Sequence, residues 1–276
     1  MNGVNGMKPK LLINVGIEHC ATTPLYYTLS VDQQYCHAGH KKEFNYLYLI
    51  ERKGQTKAAR KIFNLRSYNR DDDRKPPFLN TWKWDISEMP EFCEEPFTIE
   101  KYIAYYLKHW EHIKYNYESL ADFSNTNVQL STQFLYEIKT ILEVHFDVKW
   151  IIILRDPIRR LYSYSRNNKR FRKHILNKKY PNYVEICERY KHICGNRFYP
   201  IMMERFWEDP SGLSEFLEYP ITKVHENVFW PEKGIDFIKM EYLQDQWSVE
   251  EPMSDENLEL AKKEMAHLYK DGIYET

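Results

Sequence analysis

The chain of 276 residues has no apolar run near the roughly 20 residues that a membrane span needs. Its polar start, MNGVNGMKPK, is followed only by the short apolar stretch from Leu11 to Ile17. That stretch is too short for a signal-peptide core and has no small-residue cleavage site after it. No membrane partner is expected. The chain also lacks a charge excess of either sign, with Lys+Arg 39 against Asp+Glu 40 and a formal net charge of -1. This balance excludes whole-surface attraction to nucleic acid or anionic lipid, so any polyanion site must be local. Cysteine is sparse. The five residues Cys20, Cys36, Cys93, Cys187 and Cys194 are odd in number and scattered, which suits free thiols in a reducing, cytoplasmic setting better than a disulfide framework. Neither Cys36 with His37 and His40, nor Cys187 with His192 and Cys194, makes a zinc spacing, so no metal is expected. Internal repeats and low-complexity linkers are absent too. The expectation is a single domain over 1–276, with 1–9 disordered and 245–276 as a C-terminal helical extension. Aromatics are plentiful at 16%, with Tyr 22 and Trp 7, which argues against a disordered chain.

What is present alternates between strand and helix patterns. Lys10 to Val15 is a short apolar run ending at Gly16, a buried strand. Thr22 to Ser30 follows as a helix, with Thr22 or Thr23 as N-cap and Pro24 in the first turn. Gly54 to Leu65 reads as a short basic helix, and 69–77 and 87–96 read as loops. Ile99, Ile103, Leu107, Trp110 and Ile113 recur at helical spacing. Leu120 to Phe123 is a short strand, 130–146 a second amphipathic helix, and Val148 to Leu154 the clearest buried strand. Further on, 182–192, 200–208, 211–218 and a segment capped by Ser254 read as helices, and 236–240 as a strand. Strands separated by helices of this length imply right-handed crossovers. The expected fold is α/β, a central parallel sheet flanked by helices with a P-loop-like nucleotide-binding architecture.

The near-zero net charge conceals an asymmetry. Arg155, Arg159, Arg160, Arg166, Lys169, Arg170, Arg172, Lys173, Lys178 and Lys179 face the single acid Asp156 across 155–179, whereas the C-terminal third is acidic. Most of these bases do no more than solvate a helix face. Arg155 differs, because it stands at the carboxyl end of a predicted strand, where open α/β sheets bind their ligands. The other predicted strand end, Gly16-Ile17-Glu18-His19-Cys20-Ala21-Thr22-Thr23, leads into a helix N-terminus, whose unpaired N–H groups favour anions. It departs from the nucleotide-hydrolase pattern GxxxxGK[ST], with Ala21 for the second glycine and Thr22 for the lysine.

The two segments together resemble the sulfotransferases that use 3'-phosphoadenosine 5'-phosphosulfate (PAPS). The family's first motif, approximately G-x-P-K-x-G-T-T-x-L, is similar to Gly16 through Leu25; its second, approximately R-[DN]-P-x-x-R-x-x-S, is matched at Arg155, Asp156, Pro157, Arg160 and Ser163. A third, K-E at the second strand followed by aromatics, looks like Lys42-Glu43-Phe44-Asn45-Tyr46. Weaker echoes are Ala121 to Ser124 and Met240 to Leu243. The resemblance spans roughly residues 10 to 245 and is nearest to the glycan-type members.

The resemblance implies a donor loop of Gly16, His19, Cys20, Ala21, Thr22, Thr23 and Pro24 around the 5'-phosphosulfate. Arg155 and Ser163 would hold the 3'-phosphate, and Glu43 would be the base that takes the acceptor hydroxyl's proton. The family's loop lysine is replaced by His19. Imidazolium supplies a charged donor, but an ordinary histidine pKa of about 6.5 leaves it partly charged near neutrality. The implied reaction moves a sulfuryl group from PAPS to a small-molecule or glycan hydroxyl, leaving adenosine 3',5'-bisphosphate. Two other readings compete. One is a P-loop-like phosphotransferase or kinase, with Asp156 after the apolar strand as a metal-binding aspartate. The other is a catalytically silent nucleotide-binding protein that has lost the loop lysine. Trp82 and Trp84 are candidates to line an acceptor cleft.

Overall fold

Strand β1 (Lys10–Asn14) lies at the centre of a five-stranded sheet of order β2-β3-β1-β4-β5. In the computed structural model, which describes residues 8–39, 42–53, 92, 94–165, 168–177, 181–222 and 253–266, every pairing is parallel. β1 pairs with β3 (Ser119–Asp122) on one side and β4 (Asp147–Leu154) on the other. β2 (Cys36–His37) extends the sheet beyond β3, and β5 (Phe198–Met202) beyond β4. A parallel sheet covered on both faces needs nearly continuous apolar runs. Leu11, Leu12 and Ile13 in β1, and Trp150 through Leu154 in β4, are all buried. The expected fold class is thus observed.

The helices follow from their caps and apolar faces. Thr98 accepts from the Lys101 amide to start α3 (Ile99–Ile113), behind α1 (Thr22–Tyr27) and α2 (Tyr46–Glu51) in the chain. Ser131 accepts from the Phe134 amide to start α4 (Thr132–His145). α5 (Pro157–Ser165) and α6 (Asn168–Leu176) carry the basic segment. Asn182 caps α7 (Tyr183–Cys194), and α8 (Met203–Phe206) and α9 (Ser211–Leu217) come after β5. Ser254 caps α10 (Asp255–Glu264), with Asp255 and Glu256 in its first turn. Most of the aromatic wealth is core: Tyr102, Tyr105 and Tyr106 of α3 pack with Phe44, Tyr46 and Phe92. A second, smaller cluster joins Ile158, Leu161 and Tyr162 of α5 to Phe171 and Ile175 of α6 and to Ala261 of α10.

Three local expectations need correction. The segment 200–208 is not one helix: its start is the end of β5, and only Met203–Phe206 is helical. Pro200 pairs with Ile152 in β5, the last strand in the order among the described residues, and proline within sheets is tolerated chiefly at such an edge. The first helix is not capped by Thr22 or Thr23. Ala21 is the cap residue, left-handed at φ 58, and no side-chain cap bond forms. Lys42-Glu43 lies not in the second strand but in the loop between β2 and α2. The helix expected at 54–65, the loop at 69–77, Trp82, Trp84, the strand at 236–240 and Met240 to Leu243 lie outside the described residues. So do residues 1–7, while Lys8 and Pro9 meet the sheet region: Lys8 donates to the Glu143 carbonyl, and Pro9 accepts from the Asp147 amide. Among the described residues no helix is long and apolar enough to cross a membrane.

Candidate functional site

In the order β2-β3-β1-β4-β5 the chain moves to one side of β1 for β2 and β3 and to the other for β4 and β5. The carboxyl ends of β1 and β4 therefore flank the reversal point at which open α/β sheets form a ligand crevice. The first loop leaves β1 there, and Arg155 follows β4 directly.

The loop is built on unusual backbone. Gly16 has φ +117, a conformation that residues with a side chain rarely adopt, and a Cβ there would lie 2.6 Å from the Asn125 carbonyl oxygen. His19 and Ala21 are also left-handed, at φ 64 and 58. These residues turn the chain into α1, which continues as one helical run through a π-helical turn to Asp32. Cys20 is fully buried and its thiol faces the Tyr183 hydroxyl at 3.6 Å, in the core. Burial pushes its pKa up, so the thiol stays protonated near neutrality despite nearby Arg160. Only the backbone of Cys20 is placed to serve the loop. Thr22 and Pro24 are buried, and Ala21 and Thr23 are partly exposed.

The two sequence segments meet. The Ser163 hydroxyl lies 3.3 Å from His19 Nδ1, across 144 residues of chain. A guanidinium nitrogen of Arg155 donates to the His19 carbonyl at 3.5 Å, and Arg160 Nε donates to the Glu18 carbonyl at 3.0 Å. Asp156 starts α5 by accepting from the Arg159 amide at 2.8 Å, which orients the turn carrying Arg155 and Arg160. The His19 ring packs T-shaped with Tyr164, which also contacts the Arg160 guanidinium and the His174 ring. Arg155, Ser163 and Arg160 thus converge on residues 18 and 19.

On the other side of the loop stands the Lys42-Glu43 pair. Lys42 Nζ lies 2.5 Å from Glu43 Oε1 and donates to Thr22 Oγ1 at 3.5 Å. The side-chain amide of Asn125 donates to the same Glu43 oxygen at 3.0 Å. Below them the Asp122 carboxylate is wholly buried and accepts from Tyr102, Ser124 Oγ and the Ser124 amide. Burial raises its pKa in spite of these donors. Glu43 is therefore linked to the loop through its neighbours, by Lys42 to Thr22 and by Asn125, which lies beside Gly16.

Three residues of this constellation were not assigned roles from the sequence. Arg160 is part of the R-[DN]-P-x-x-R match, so its signal was present. Lys42 precedes Glu43 in the third motif, but nothing in the sequence shows that its ammonium reaches Thr22. Asn125 carries no pattern signal and comes into view only through the β1–β3 register, which sets the end of β3 beside Gly16. Among the described residues no group of three or more His, Cys, Asp or Glu side chains converges as a metal site.

No protein-family model matches the chain, and no curated protein matches it. Among solved structures it is similar to a sulfotransferase from Alicyclobacillus acidocaldarius, at 16% identity and TM-score 0.45, over 96% of this chain and 97% of that one. It is also similar to the sulfotransferase domain from the curacin biosynthetic pathway, at 15% identity and TM-score 0.47 over 93% and 97% of the two chains. A third is the sulfotransferase domain of the Synechococcus PCC 7002 olefin synthase, at 13% identity and TM-score 0.43 over 95% and 97%. Likenesses at these identities and TM-scores assign no residue a role.

Proposed function

We propose that the chain transfers a sulfuryl group from PAPS to a hydroxyl acceptor, with a carbohydrate as the first choice. The observation that carries this reading is the closure of the second segment onto the first, through Ser163 on His19 and Arg155 on the His19 carbonyl. Two segments that separately resemble patterns for one nucleotide thereby meet, which supports the reading. The residues fit a doubly anionic ligand: Arg155, Arg160 and Lys42 all contact residues 18–22, and Gly16 lacks the Cβ that would crowd the loop.

In this reading the backbone of 16–23 and the hydroxyls of Thr22 and Thr23 hold the phosphosulfate, and Arg155 and Ser163 hold the 3'-phosphate. Glu43 takes the proton of the acceptor hydroxyl as its oxygen attacks sulfur; the new O–S bond forms while the bond from sulfur to the phosphate oxygen breaks. The cations on the loop stabilise the charge that develops on the leaving phosphate. His19 contributes a donor whose strength depends on protonation.

A thermal-shift titration tests the donor. Adenosine 3',5'-bisphosphate at about 100 times its Kd is expected to add about 2.7 kcal/mol, a rise of roughly 5–10 °C, while ATP with Mg²⁺ adds little. Arg155→Ala is expected to lose most of that rise, since a hydrogen bond to a charged group contributes about 1.5–3 kcal/mol. No rise with the bisphosphate would overturn the reading, and a rise with ATP alone would favour the phosphotransferase. Labelled PAPS with a panel of sugars, phenols and small alcohols then tests transfer; binding without transfer to any of them is the silent-protein result.

The loop histidine makes a separate prediction. Turnover is expected to be several-fold slower in His19→Ala across pH 6–8, because the variant lacks the ring nitrogens that can donate at the loop. Equal profiles for parent and variant would remove His19 from the chemistry.

A further inference from the structure

The two donors on Glu43 fall on the same atom. Lys42 Nζ and the Asn125 amide both address Oε1, at 2.5 and 3.0 Å. Asn125 opens the 3₁₀ turn Asn125–Gln129 directly beyond β3, and that turn is held from several sides. Phe123 donates its amide to the Lys42 carbonyl at 3.1 Å, and Ser124 Oγ accepts the Asn45 amide at 2.8 Å. Thr126 donates to the Asn45 side chain at 2.8 Å, and Asn127 donates to the Asn14 carbonyl at the end of β1, at 3.0 Å. The Asn125 carbonyl meanwhile packs against Gly16. One residue thus touches the candidate base with its side chain and the donor loop with its backbone.

We propose that Asn125 is a positioning residue for Glu43: it holds Oε1 from a turn locked to β1, so that Oε2 takes the acceptor's proton at a set distance from the donor loop. The proposal rests on the reading of Glu43 as base. A glutamate's terminal torsion is broad and two-fold, so an unheld carboxylate samples many aims. Lys42 is a poor sole constraint, because its flexible stem and three rotatable donors fix no direction. The amide of Asn125, set by a bonded turn, supplies the direction. Misplacement by about 1 Å at a reacting group costs on the order of 100-fold in rate.

The test is a double-mutant cycle on turnover, with labelled PAPS and the fastest acceptor of the panel. Asn125→Ala is expected to lower kcat by about 10–100-fold, leaving KM and the bisphosphate thermal shift within about twofold. In the Glu43→Gln background the same change is expected to cost less than about twofold, because its effect runs through the carboxylate. An equal loss in both backgrounds is the signature of a structural role and overturns the proposal. If Asn125→Ala does not fold, the near-isosteric Asn125→Asp is measured in the same two backgrounds, with the same pattern expected. Parent-like turnover in Glu43→Gln alone overturns the base reading. A disabled Glu43→Gln beside an undiminished Asn125→Ala overturns the positioning proposal alone.

Discussion

Glu43→Gln is expected to lower turnover by about 10²–10⁴-fold, the range lost when a positioned general base is removed. Glutamine keeps the length of the side chain and can still accept from Asn125, but it cannot take a proton from the acceptor. Lys42 would lose its ion-pair partner in a site where its side chain is 17% exposed, so the ammonium keeps water and the fold survives. The thermal shift with adenosine 3',5'-bisphosphate should remain, since Arg155, Ser163 and the loop are untouched. The defect should therefore appear in kcat, with donor affinity preserved. Parent-level transfer by the glutamine variant would mean that another group, or water, removes the proton.

Gly16→Ala is the second large effect, and it should strike donor affinity and stability together. At φ +117 a side chain is strained whatever the space around it, at a cost of about 1–3 kcal/mol. The added Cβ would also sit 2.6 Å from the Asn125 carbonyl oxygen and 3.2 Å from its carbon, backbone atoms that cannot swing aside as a long side chain would. Either the loop or the 125–129 turn must move. The expected result is a loss of roughly 5–10 °C in Tm, taking about 2–4 °C per kcal/mol, with the bisphosphate shift abolished. Gly195→Ala is the control. Gly195 also has positive φ, but nothing lies within 4 Å of a Cβ there, and it sits before β5 at the opposite end of the sheet. It should cost only the backbone strain and leave the bisphosphate shift intact. A Gly16→Ala variant that still binds the bisphosphate as the parent does would show that the loop is not the donor's cradle.

The elements legible in the sequence were those whose burial matches their period. β1 and β4 are continuous apolar runs because both faces of their sheet are covered, and α3, α4, α7 and α10 announce themselves through cap residues that accept from the amide three positions on. β5 is not legible because FYPIM contains a proline, a signal against strands that fails in the last of the described strands. The cap at Ala21 was missed for a similar reason: Thr22 and Thr23 have the chemistry of a cap, but three left-handed or glycine residues turn the chain so that the helix starts one residue earlier. Arg155 and Ser163 could be picked out because motif spacing on one strand and one helix is a local property. Asn125 could not, because its partners lie 82 residues away at Glu43 and across the sheet at Gly16.

The amino-acid order alone thus determined the α/β class, the two strand-end segments proposed as the anion site, and the local basic excess hidden under a net charge of -1. Those are properties of neighbours along the chain, where periodicity and residue type suffice. Only the tertiary structure decided that the two segments close on each other, that Lys42 spans from Glu43 to Thr22, and that Asn125 stands between Glu43 and the loop. Such contacts depend on strand order and register. Parallel pairing sets β3 and β4 on either side of β1, and so gathers at one end of the sheet residues that the chain keeps more than a hundred positions apart.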